Sequence, residues 1–348
     1  MSHLTVLILL EFVVIHLLTH ALLPLNIRFS RRFGIMAEPN ERRIHKIAIP
    51  EAGGLCFAIP VIIAQASFGL LSGDAAMGKM LLQLSGVGLL TLMMGLWDDR
   101  YESSPSLKLL GQISIGVIMY FIGFRVLFLT NPLGEHFVLG WLSFPVTILW
   151  YLMILNAINL IDGLDGLASG ISIIVCAVLL IVGVKESYHL VIVICAMLIA
   201  GNTAFLFYNF FPARIFLGDT GALFIGLNIA AISTAGSSQF KGITSMTLMI
   251  PLAVLAVPFL DVGLAVFRRI RVGNIFTADK AHIHHTMLAF GFSQKTISII
   301  VYIVTLLFGL IAIGFSFSSK KVLFSVLLGL LALMVVIAYA LMRQERNK

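Results

Sequence analysis

Charge is what this chain has least of. Asp, Glu, Lys and Arg make up 11% of its 348 residues, where a soluble domain carries about 25%. So few polar groups cannot cover a water-soluble globule of this size. The same shortage excludes a disordered chain, which needs many charges and few apolar residues. Cysteine is scarce as well. Cys56, Cys176 and Cys195 all sit in apolar runs and show neither metal spacing nor the density of a disulfide scaffold. Glycine follows no triplet period, which excludes a collagen-like rod. No polar stretch is long enough to fold as a soluble domain of its own.

What is present is apolar sequence, 59% of the chain. A membrane-spanning helix needs about 20 mostly apolar residues. Eleven stretches qualify, at roughly 4–23, 52–71, 78–97, 107–129, 141–160, 167–184, 190–208, 215–236, 243–267, 296–315 and 321–342. The first is too long for a signal peptide, carries Glu11, His16 and His20, and has no small-residue cleavage site after it. The expected fold is all-α and polytopic, one membrane domain over residues 1–348 with about eleven transmembrane helices.

The excess of 23 basic over 16 acidic residues need not mean nucleic acid, because basic loops mark the cytoplasmic side of a membrane protein. With the N-terminus outside, 17 of the 23 basic residues fall inside. These include Arg28, Arg31, Arg32, Arg42, Arg43 and Lys46 in one loop, and Arg268, Arg269, Arg271, Lys280 and Lys295 in another. The C-terminus is then cytoplasmic. The unusual polar groups fall on that same side, although they played no part in setting the orientation. Carboxylates within a bilayer cost about 2.5–3.5 kcal/mol each at a helix centre, so a set gathered at one face reads as a site.

Asp98-Asp99 closes the third span. Adjacent carboxylates cannot share one helix face, so one is free to meet a metal or a proton while the other braces a neighbour. Asn156, Asn159, Asp162 and Asp165 follow at intervals of three, on adjoining parts of one helical surface. Gly163 and Gly166 then loosen the backbone. Asp219 lies between Gly218 and Thr220-Gly221 at the start of a span, where a helix N-terminus favours anions. His282, His284 and His285 cluster in a basic loop. A zinc site would carry two His at i, i+4 with a nearby Glu, and that pattern is missing. Hard oxygen ligands with cytoplasmic cations favour Mg²⁺, with Mn²⁺ as the alternative, completed by substrate phosphates. The residues therefore point to phosphoryl transfer at the inner membrane face.

With these motifs in order, the chain resembles the polyprenyl-phosphate N-acetylhexosamine-1-phosphate transferases. The matching segments are Pro39 through Lys46 with Pro50 through Gly54; Asp98-Asp99 with Lys108 and Gln112; Asn156 through Ala168; Tyr208 through Gly221; Asp261 with Arg268-Arg269; and His282 through His285. The resemblance implies ten or eleven spans and a cytoplasmic active site in a bacterial inner membrane. It implies transfer of a sugar-1-phosphate from a UDP-sugar to undecaprenyl phosphate, with release of UMP. Ile283 interrupts the histidines, as in the N-acetylglucosamine branch; the N-acetylmuramoyl-pentapeptide branch is the alternative. The resemblance leaves room for a homodimer. It makes Asp219 the metal ligand, joined by Asn159. It places Asp98, Asp99, Asp162, His282, His284 and His285 in the catalytic set, and Lys46, Lys108, Asn156, Asp165, Asn209 and Phe216 on the substrates. Two positions depart from the family pattern: Glu102 stands where a third Asp is usual, and Ala222 where a Ser is. An ion-coupled transporter is the rival from another class, but it should show an internal repeat and polar groups near the midplane.

Overall fold

The computed structural model describes residues 3–38, 47–129, 137–235, 287–288 and 290–314, with the isolated positions 325, 329, 330 and 332. The expected spans at 243–267 and, apart from those four positions, 321–342 lie outside the described residues. So do Lys46, His282, His284 and His285.

Within the described residues there are nine α-helices: α1 (His3–Phe33), α2 (Gly54–Leu71), α3 (Ala75–Tyr101), α4 (Pro105–Phe121), α5 (Ser143–Ile161), α6 (Leu167–Lys185), α7 (His189–Asn209), α8 (Gly218–Ala235) and α9 (Gln294–Gly314). Two short antiparallel pairs sit in the loops, Met36–Ala37 with Ile49–Pro50 and Phe128–Leu129 with Phe137–Val138. Seven helices, all but α4 and α8, are long and apolar enough to cross a membrane. The protein is an all-α polytopic membrane protein.

Local chemistry explains where the helices differ from the expected spans. α1 runs ten residues past its apolar stretch, through Pro24, and ends on Arg31 and Arg32, cations that suit a helix C-terminus. α3 starts early because the Asp74 side chain accepts from the backbone N–H groups of Ala76 and Met77, both at 3.0 Å. α4 is shorter than 107–129. It begins with Ser104 as cap and Pro105 in its first turn, and it stops before Gly123, which has φ +105°. The apolar residues beyond that glycine enter the Phe128–Leu129 strand instead.

α8 is the axis of the bundle. Every residue from Thr220 to Ala235 is buried, with α3 and α5 packed most extensively against it. A helix with no lipid-facing side can carry polar groups if its neighbours satisfy them. Gln65 of α2 donates to Asn228 at 2.7 Å, Trp150 Nε1 of α5 donates to Ser233 at 2.8 Å, and the Tyr151 and Thr234 hydroxyls meet at 3.0 Å. At the α2–α8 crossing the backbones touch: a β-carbon on Gly54 would run into the backbone of Gly221. Small residues permit that close approach.

Helices α1 to α8 alternate in direction, and α9 runs the same way as α8. The C-terminal ends of α3, α5 and α7 therefore lie beside the N-terminal ends of α2, α4, α6, α8 and α9, and hydrogen bonds tie these ends together. Gly53 N–H donates to Phe216 O and Gly54 N–H to Leu217 O, each at 2.9 Å. Asn26 of α1 donates to Ala52 O at 2.8 Å, and Tyr302 of α9 to Gly166 O at 2.6 Å.

Candidate active site

This end of the bundle encloses a cavity of about 820 Å³. Its wall holds Asp98, Asp99, Lys108, Asn159, Asp162, Asp165, Asn209, Phe216 and Asp219. Motifs far apart in the chain, from Asp98 to Asp219, thus meet in one space.

Lys108, on the first turns of α4, lies between two carboxylates. Its ammonium is 3.0 Å from Asp98 Oδ2 and donates a short hydrogen bond to Asp219 Oδ2. The Asn159 amide, on the last turn of α5, donates to the other oxygen of Asp219. Asp98 also accepts from Ser103 N–H at 3.0 Å. The three side chains Asp98, Lys108 and Asp219 are partly buried, 12–22% exposed, so their attraction is less screened than at an open surface.

Asp99 turns the other way. Its Oδ1 accepts from the backbone N–H of Asp219 at 2.7 Å. Its Oδ2 accepts from Thr220 N–H at 3.1 Å and from the Thr220 hydroxyl. The first N–H groups of a helix have no partner within it, and here a residue of α3 supplies the cap for α8. Gly218 makes room for it. Its φ is +70°, and a β-carbon there would stand 2.6 Å from Asp99 Oδ2. The two adjacent acids therefore divide their work as their helical positions demand, one toward the cavity cation and one into the scaffold.

Beyond the end of α5, the Asp162 carboxyl accepts a backbone hydrogen bond from Gly218. Burial, with the carboxylates of Asp219, Asp99 and Glu51 near it, pushes its pKa well above the usual range. Asp165 accepts from Ala213 N–H at 2.9 Å, and Asn209 donates to Ile215 O at 2.9 Å. These two hold the loop 210–217 that carries Phe216. Leu164, Phe211, Pro212 and Phe216 make this side of the cavity apolar. Asn156 does not belong to the cavity wall. It pairs with Gln112 of α4, donating at 2.8 Å, one turn away from Asn159. Its place is in the packing of α4 on α5.

Sequence reading missed Glu51, Ser103 and Gln294, all of which line the cavity. Glu51 adjoins the Gly53-Gly54 pair, a signal of close backbone approach. Ser103 and Gln294 gave no signal.

Glu51, Asp98, Asp99, Glu102, Asp162, Asp165 and Asp219 face Lys108 as the one cation among the described residues of the wall. This donor set fits a divalent, oxygen-seeking ion. Ions of that class are commonly held by one or two carboxylates plus substrate phosphates.

Comparison with known proteins gives the family. Residues 81–237 match the family model described as glycosyl transferase family 4. A Bacillus subtilis protein named as a probable undecaprenyl-phosphate N-acetylglucosaminyl 1-phosphate transferase is 34% identical over 308 residues, covering 88% of this chain and 84% of its own. The Mycobacterium tuberculosis decaprenyl-phosphate N-acetylglucosaminephosphotransferase is 32% identical, over 82% and 76% of the two chains. The Escherichia coli K12 undecaprenyl-phosphate alpha-N-acetylglucosaminyl 1-phosphate transferase is 25% identical, over 79% and 74%. The match runs through the motifs that build the cavity, and this chain belongs to glycosyl transferase family 4, the family of the polyprenyl-phosphate N-acetylhexosamine-1-phosphate transferases.

Proposed function

We propose that this protein transfers N-acetylglucosamine-1-phosphate from UDP-N-acetylglucosamine to undecaprenyl phosphate at the cytoplasmic face of a bacterial inner membrane. UMP is released, and the lipid-linked sugar begins a cell-envelope glycan. The observation that carries the reading is the two-sided cavity, with Lys108 between Asp98 and Asp219 on one side and an apolar wall at Phe211 and Phe216 on the other. A nucleotide-sugar has the same two halves, a flat base and a pyrophosphate. The relatives' names supply the sugar and the lipid.

An oxygen of the lipid phosphate attacks the β-phosphorus of the donor. A new P–O bond forms there, the bond from that phosphorus to the bridging oxygen breaks, and UMP departs with the electron pair. The attacking phosphate is largely an oxyanion at neutral pH, because its second pKa lies near about 6, so little base assistance is needed. Asp98 and Lys108 position that phosphate. Asp219, with Asn159 beside it, would hold Mg²⁺, which offsets repulsion between the two anionic substrates and the charge on the leaving group. Asp99 fixes the first turn of α8, and with it Asp219. Asp165 and Asn209 shape the loop against which the base lies. The histidines of the 282–285 cluster are assigned to the donor's phosphates or sugar.

Direct attack is favoured over an aspartyl-phosphate route. Asp98, Asp99 and Asp219 are each engaged by two or more donors, and one in-line displacement needs no free carboxylate. The pentapeptide branch is disfavoured by Ile283, and a transporter by the gathering of carboxylates at one end of the bundle. Eleven spans with the N-terminus outside agree with the 17 basic residues on the inner side.

The test is direct. Membranes containing the protein, given radiolabelled UDP-N-acetylglucosamine and undecaprenyl phosphate, should yield a labelled lipid and an equal amount of UMP. EDTA should stop the reaction, and Mg²⁺ or Mn²⁺ should restore it. Release of UDP in place of UMP, or no labelled lipid, would refute the proposal.

A further inference from the structure

The stretch between α5 and α6 has little of its own to hold it in shape. It carries Asp162, Leu164 and Asp165 into the cavity wall, and Gly163 and Gly166 bracket Leu164 and Asp165. Glycine leaves a backbone many conformations. Gly166 takes φ +73° and starts α6 with no side-chain cap. Such a segment keeps one shape only if other parts of the fold fix it. On one side Asp165 accepts from Ala213 N–H at 2.9 Å. On the other side stands α9.

α9 is an apolar helix, yet Gln294, Ser298 and Tyr302 recur along it at i, i+4 and i+8 and so share one face. Gln294 lines the cavity. Ser298 is buried, and its hydroxyl points to the Asp165 carbonyl at 3.4 Å. One turn on, about 6 Å along the axis, the Tyr302 hydroxyl donates to the Gly166 carbonyl at 2.6 Å. The polar edge of α9 thus follows the loop from the cavity to the first turn of α6.

α6 does not need the Tyr302 bond in order to form. The Gly166 carbonyl already accepts from Gly170 N–H at 2.9 Å. A carbonyl has two lone pairs, and the tyrosine hydroxyl takes the second. The ring reaches that place only over bare backbone, since a β-carbon on Gly170 would collide with it. From the opposite side Leu206 and Phe210, at the end of α7, stand 3.0 and 3.1 Å from where a β-carbon on Gly166 would lie. The loop is therefore gripped between α7 and α9, and the Tyr302 hydroxyl is the directional contact in that grip.

We infer that Tyr302 is a positioning residue for the nucleotide-sugar: through the Gly166 carbonyl it holds Leu164 and Asp165 where the uridine of the donor rests. Tyr302 itself stands outside the cavity wall. The inference deepens the proposed transfer reaction and rests on it for the identity of the donor.

Two measurements on the full-length protein in nanodiscs test it. The first is kinetic. Tyr302→Phe removes the hydroxyl and keeps the ring over Gly170. The KM for UDP-N-acetylglucosamine should rise about threefold to tenfold, the range for one hydrogen bond. The KM for undecaprenyl phosphate, kcat and the melting temperature should stay at wild-type values, because α6 keeps its own bond to Gly166. Thr305→Val removes a buried hydroxyl on α9 that has no partner among the described residues, and it should change none of the four. The second measurement needs no turnover. Calorimetric titration with UMP should give a Kd about threefold to tenfold higher in Tyr302→Phe than in wild type. Weaker UMP binding by the variant of a protein that transfers no sugar supports the positioning role and sinks the transferase reading. Normal transfer, with donor KM and UMP affinity unchanged in Tyr302→Phe, overturns the role and leaves the transferase reading standing. A fall in melting temperature with donor KM unchanged, or an equal rise in both KM values, also overturns it. A wild type that neither transfers sugar nor binds UMP sinks both.

Discussion

Replacing Asp99 with Asn separates a scaffold role from a chemical one. In the native chain both oxygens of Asp99 receive donors from α8: Asp219 N–H at 2.7 Å, Thr220 N–H at 3.1 Å and the Thr220 hydroxyl. The amide of Asn keeps one acceptor oxygen and turns an NH₂ toward the other donors. One N–H loses its acceptor, at about 1–3 kcal/mol for a buried group. The negative charge at the helix N-terminus goes as well, at about 0.3–2 kcal/mol. Thr220 can rotate to accept from the new NH₂ and recover part of this, so about 2 kcal/mol remains. The strain falls on the turn that carries Asp219. Mn²⁺ binding, followed by electron paramagnetic resonance on purified protein, should weaken about tenfold or more, since 1.4 kcal/mol corresponds to one decade. The melting temperature should fall with it. Thr220→Val should do the same to a smaller extent, and Thr220→Ser should stay near wild type. Loss of transfer in Asp99→Asn with Mn²⁺ affinity and melting temperature unchanged would refute the argument and put Asp99 on the substrate.

Asp219→Asn should abolish most transfer while the protein still inserts and folds, because size is kept and only a carboxylate is lost; near-native turnover at limiting Mg²⁺ would remove it from the metal role. For the pair buried in the bundle, a double-mutant cycle of Gln65→Leu with Asn228→Leu should show a coupling of about 0.6–1.7 kcal/mol, the range for hydrogen bonds between membrane helices; a coupling of zero would mean the 2.7 Å contact adds nothing. Finally, a cysteine at Glu102 should resist an impermeant thiol reagent in intact cells and one at Ser72 should react, the reverse pattern overturning the orientation.

Much of the site was legible because its parts are local. Asp98-Asp99, Asn159 through Asp165, and Gly218 through Gly221 each stand at a helix end, and polar groups at such places need a reason in an apolar chain. What could not be read was which acid faces what. The cap that Asp99 supplies to α8 spans 120 residues, and no spacing rule reaches that far. Asn156 was misleading for the converse reason. It continues the interval of three from Asn159, yet one turn back along α5 places it against Gln112 and away from the cavity. Helix ends followed suit: the Gly123 stop that shortens α4 is a backbone event that hydropathy does not register.

The contact of α2 with α8 has a bearing on how such proteins diverge. Relatives at 25–34% identity have replaced most of their aligned residues. Lipid-facing positions can drift among apolar side chains at little cost. Gly54 and Gly221 have no such latitude, since even a methyl group on the first would collide with the backbone of the second. A lineage can exchange either one only by moving α8, and the turn that holds Asp219 would travel with it. These two glycines should therefore persist in descendants that have lost nearly every neighbouring letter, held by selection on a residue neither of them touches chemically.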